Sequence, residues 1–136
     1  MCQVQGEDLI RALKRFKSLA KQDLLASERT NDPPFWRTHA EARRKEYTRL
    51  IQLVEDSGVE KACVYALERY KQKRANHTQE RHPEQEGSRQ ALELFFTIIG
   101  SSPGRLGKWL QERNVTLEIP KDALFDQETP LVLEQV

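Results

Sequence analysis

Residues 92–114 read LELFFTIIGSSPGRLGKWLQERN, and this stretch decides the fold class. Leu92, Phe95 and Ile99 recur at three- and four-residue steps, and Ala91, Leu94, Phe96 and Ile98 flank them. A helix apolar on most of its sides is a buried one, so the spacing predicts a core helix over 88–99. Gly100 punctuates it. Ser102 then offers an N-cap and Pro103 fits the first turn of a second helix, in which Leu106 and Trp109 mark the apolar side.

Outward from this pair, the same period recurs. Leu9, Leu13, Phe16, Ala20 and Leu24 make one stripe on a helix over 7–27, with Lys14, Arg15, Lys17 and Lys21 off it. SERTNDPP breaks the pattern, and Asp32 before Pro33-Pro34 caps the next helix, 33–56. There Trp36, Ala40, Arg43, Tyr47, Leu50 and Val54 form a near-heptad seam that Arg43 interrupts, by snorkelling or by pairing with an acid. Gly58 ends that helix, and its short connection makes an antiparallel hairpin with a third helix over 59–75, buried through Val59, Ala62, Cys63, Ala66, Leu67 and Tyr70. Residues 76–87, NHTQERHPEQEG, carry no large apolar side chain and read as a polar loop. In 115–119 and 131–136 the pattern alternates, which suggests short strands. The expectation is an all-α compact bundle of about five helices over 1–114, with 88–99 at its centre and an irregular acidic extension over 115–136.

At 136 residues, 38% apolar and 32% charged, the chain has material for one core. No apolar run approaches the roughly 20 residues of a membrane span, and the N-terminal residues mix acids and bases, so a cytoplasmic protein without a membrane partner is expected. The net charge of +1 hides an asymmetry. Residues 1–50 hold 11 Lys and Arg against 7 Asp and Glu, whereas 115–136 hold 1 against 5. An acidic tail of this kind is solvated, or it competes with an anionic ligand for the basic body.

In Phe95, Gly100, Ser102, Leu106 and Trp109 the 92–114 stretch resembles a helix-turn-helix. The resemblance spans about 20 of the 136 residues. It implies DNA contact through an outward face bearing Arg105, Lys108 and Arg113, with Ser102 near phosphate. Phe96 departs from the pattern where a small residue is usual, and Ser101 where a buried aliphatic is usual. A second basic candidate lies on the 33–56 helix: Arg37, Arg43, Arg44, Lys45 and Arg49, with Trp36 and Tyr47 placed for stacking. Helix solubility accounts for the same charges, since Glu41 and Lys45 form an acid-first i,i+4 pair. Trp36 and Tyr47 among arginines also have the composition of a protein interface, for a partner or a second copy.

The sequence offers little for catalysis or metal binding. Walker A, HExxH and DxDxDG are missing, and Cys2, Cys63, His39, His77 and His82 show no CxxC or HxxxH spacing. Cys63 lies on an apolar face and reads as core. No cofactor, metal or small-molecule substrate is expected. The expected function is a small non-catalytic helical interaction or regulatory protein, with nucleic-acid binding as the alternative.

Overall fold

The computed structural model describes residues 4–75 and 82–113. Helix α1 spans Gly6–Ala26 and runs into a 3-10 turn, Ser27–Arg29. Helices α2 (Pro33–Ser57), α3 (Val59–Ala75), α4 (Pro83–Ile99) and α5 (Pro103–Glu112) follow. The fold is all-α, and the described residues contain no strand. The strands expected within 115–136 lie outside the described residues.

The helix ends follow the chemistry of the sequence. Asp32 accepts a hydrogen bond from Phe35 N at 3.4 Å, with proline in the first turn behind it. Gly58 adopts φ 95° and Gly100 φ 74°, conformations that glycine reaches without a Cβ penalty. Gly58 N donates to Leu53 O and Val54 O, closing α2. Ser101 N donates to Phe96 O at 3.1 Å, closing α4. Ser102 Oγ then accepts from Arg105 N at 3.3 Å and opens α5.

Two sequence expectations need correction. Residues 83–87, assigned to the polar loop, are the first turns of α4. Pro83 tolerates the helix start, and Glu84 and Glu86 lie at its positive end. The buried residues of this part are small, Gly87 and Ser88, so the segment had no large apolar side chain to betray it. A Cβ on Gly87 would stand 2.3 Å from His39 O and 3.1 Å from Ala42 Cβ. The α2–α4 crossing is therefore close enough to admit only glycine at that point.

The second correction concerns the centre. Helix α4 is well buried, but α2 is the element that packs on α1, α3, α4 and the 3-10 turn. Helices α1 and α2 are antiparallel: Phe16 meets Tyr47, ring centroids 6.2 Å apart, and further along α1 Asp23 meets Arg43, which lies earlier in α2. Helix α5 seats mainly on α3, where Leu67 faces Gly107 and Glu60 pairs with Arg113. Leu9, Leu13, Leu50, Leu92, Phe95 and Leu106 lose all solvent exposure in this core. Each such burial is worth about 1.5–3 kcal/mol.

A polar network fastens the α2–α3 hairpin inside the core. Glu46, 3% exposed, accepts from Tyr65 OH at 2.6 Å and from Arg69 Nε at 3.2 Å. Tyr65 and Arg69 are also buried. Burial first, and then the adjacent Glu46 carboxylate, push the Tyr65 phenol well above its ordinary value of 10.0, so it remains a proton donor.

Candidate nucleic-acid interface

Helix α2 carries its basic residues on several sides, and the fold gives them different fates. Arg43 lies on the α1 side, where its guanidinium donates to Asp23 at 2.7 Å and its side chain keeps only 14% exposure. Arg37 pairs with Glu28 of the 3-10 turn. Both are structural ties between the α1–turn segment and α2, rather than parts of one contact surface.

Arg44 and Lys45 have another environment. Together with Arg49, Thr48, Gln52 and Glu41 of α2 and Lys17 of α1 they line an open groove of about 550 Å3. Four cations face one carboxylate there. Thr48, whose hydroxyl donates to Arg44 O at 2.8 Å, and Gln52 add neutral polar groups. The expected Glu41–Lys45 pair does not form, and among the described residues no ion pair engages Lys17, Arg44 or Lys45. Arg44 Nε is buried without a hydrogen-bond partner, a cost that a folded core rarely carries. Concave and positive, the groove suits an extended anion.

The two aromatic residues expected beside these cations are elsewhere. Tyr47, expected on an interaction surface, is 1% exposed and packs on Phe16. Burial pushes its phenol up to about 12, with Arg43 lowering it and Asp23 raising it. Trp36 is half-buried and forms a cluster with Phe35 and His39, centroids 4.9 and 5.2 Å away. Trp36 and Tyr47 lie on the α2 side that Arg43 marks, not in the groove lining. Among the described residues, the groove lining thus carries cations and no aromatic ring.

On α5, Arg105 and Lys108 are exposed and share a face one turn apart. Arg113 does not join them. Arg113 is exposed too, but seven residues after the buried Leu106 it turns towards α3, pairs with Glu60 and sits 4.9 Å over the Trp109 ring. The common face that DNA reading through α5 requires of these three residues is not formed.

Sequence reasoning identified Arg44, Lys45 and Arg49 but not Lys17 as their neighbour, because the pairing of α1 with α2 sets that juxtaposition. Among the described residues no helix is long and apolar enough to cross a membrane, and no three His, Cys, Asp or Glu side chains gather as metal ligands. Cys63 is buried in the core. No protein family, no curated protein and no solved structure matches this chain.

Proposed function

We propose that this protein is a non-catalytic helical binding module that engages the phosphate backbone of nucleic acid through the α1–α2 groove. One observation carries the reading: Lys17, Arg44 and Lys45, which no ion pair engages among the described residues, converge with Arg49 from two helices on one concave surface whose described lining holds a single carboxylate. Elsewhere, Arg11, Arg37, Arg43, Arg69, Lys71 and Arg113 sit beside acids that neutralise them. Backbone phosphates supply the missing negative charge, and contacts of this kind position a protein without reading sequence. The absence of aromatic residues from the lining favours sequence-independent binding over the stacking used on single strands.

The test is fluorescence anisotropy with a labelled mixed-sequence duplex. Lys17→Glu with Lys45→Glu removes two positive charges and adds two negative ones, and should reduce affinity at least about tenfold at low salt. Arg105→Glu with Lys108→Glu should leave it nearly unchanged. Loss of binding in the α5 pair and not in the groove pair would move the interface to α5 and defeat the proposal.

The Phe35–Trp36–His39 cluster supports a second reading, docking of a protein partner. Phe35 and Trp36 are half-buried, with ring contacts to each other and to His39. Large aromatics held in this way on a surface serve as interface anchors. Trp36→Ala should then abolish partner capture without altering polyanion affinity.

A further inference from the structure

A second cavity, of about 320 Å3, lies at the α4–α5 turn and differs in character from the groove. Its apolar side is made by the rings of Tyr70 and Phe96, packed edge to face with centroids 5.4 Å apart. Its charged group is Glu93, whose Oε2 accepts from Tyr70 OH at 3.1 Å. Hydroxyl-bearing residues, Thr97, Ser101 and Ser102, also line it, with Gly100 and Pro103, and among the described residues no lysine or arginine contributes. The carboxyl end of α4 also lies here, adding the negative end of its dipole. The amino end of α5 offsets this weakly. Pro103 has no N–H to present, and Ser102 Oγ already takes up Arg105 N.

We infer that this notch binds a basic side chain, lysine or arginine, presented by a protein partner. The occupant follows from complementarity. A lysine or arginine stem covers aromatic surface while its cation stays at a polar edge. Here the part-exposed Tyr70 ring, backed by the buried Phe96, receives the stem, and the ammonium or guanidinium meets the Glu93 carboxylate, with the Tyr70 ring adding cation–π attraction. An anion would meet Glu93 and be repelled, and a purely apolar side chain would gain nothing from that exposed carboxylate. The site is independent of the α1–α2 groove and survives if the nucleic-acid reading fails.

The test uses the full chain and two short peptides that differ only in a central lysine or norleucine, followed by NMR shifts of Tyr70, Glu93 and Thr97. The lysine peptide should produce saturable shifts at these residues, and the norleucine peptide should bind about two- to fivefold more weakly, the effect of one exposed charge pair. Glu93→Gln retains an acceptor for Tyr70 OH, and should weaken the lysine peptide by a similar factor while leaving the norleucine peptide unchanged. Equal affinity for both peptides, shifts confined to other residues, or a Glu93→Gln protein that binds lysine as before would each overturn the assignment.

Discussion

Replacing Glu46 by alanine is the sharpest perturbation of the α2–α3 hairpin. The carboxylate is 3% exposed and serves two buried donors, the Tyr65 hydroxyl and Arg69 Nε. Truncation deletes a charge-assisted hydrogen bond to each and removes the counter-charge of a guanidinium whose side chain is only 9% exposed. Breaking a buried ion pair from one side costs about 3–5 kcal/mol, because the remaining charge has lost its water and its partner. With an unfolding entropy of roughly 2 cal/mol/K per residue, 3 kcal/mol lowers Tm by roughly 10 °C in a chain of this size. Tyr65→Phe removes one hydrogen bond to a charged group and should cost about 1.5–3 kcal/mol. The combination Glu46→Leu, Tyr65→Phe, Arg69→Met replaces the network by apolar groups of similar bulk. It should recover most of the loss, since a buried pair exchanged as a unit is often neutral or stabilising. Urea denaturation of the four proteins measures this directly through the midpoints. A Glu46→Ala cost below about 1 kcal/mol, or a triple variant less stable than Glu46→Ala, would refute the claim that these groups act as one buried network.

The α2–α4 crossing gives a paired prediction: Gly87→Ala should destabilise by about 1–3 kcal/mol, since its Cβ would run into His39 O, which belongs to backbone. Gly104→Ala, which meets nothing within 4 Å, should stabilise α5 by about 0.5–1 kcal/mol, and both values follow from urea midpoints. Tyr47 makes stability depend on alkaline pH. Its phenol ionises near 10 in the unfolded chain and at about 12 in the fold, so the contribution is complete below pH 10 and is lost as pH rises towards 12. Tyr47→Phe should therefore lose less stability than the parent between pH 10 and 12. Because Tyr47 OH has no hydrogen-bond partner, the change should cost little at neutral pH, and a loss above about 2 kcal/mol there would argue against that account.

Much of the fold is legible in the sequence because helical period and capping are local. Asp32, Gly58 and Ser102 sit where the chain turns, and the stripes through Leu9, Leu13, Leu50 and Leu92 are the ones buried. What is not legible depends on a second helix. Gly87 is polar-loop material until the 2.3 Å approach of α2 is known. The Glu46 network carries no local signal, since the partners of Glu46 lie 19 and 23 residues away in sequence. The same holds for the basic residues. Periodicity placed Arg37, Arg43, Arg44 and Lys45 on one helix, but only tertiary packing separates the pair tied to Glu28 and Asp23 from the pair that opens onto a groove with Lys17. Residues 105 and 108 share a face by local spacing, whereas the withdrawal of Arg113 towards Glu60 follows from the seat of α5 on α3.

The measurement that tests the central claim most directly is the salt dependence of duplex binding, followed by anisotropy between about 50 and 200 mM monovalent salt. Lys17, Arg44 and Lys45, the groove cations that no ion pair engages among the described residues, predict a slope of log affinity against log salt near −3, or a loss of roughly 60-fold across that range. Lys17→Glu with Lys45→Glu should flatten the slope towards about −1. Affinity that does not change with salt, or a slope that the groove substitutions leave intact, would contradict the assignment of the α1–α2 groove as a phosphate-backbone site.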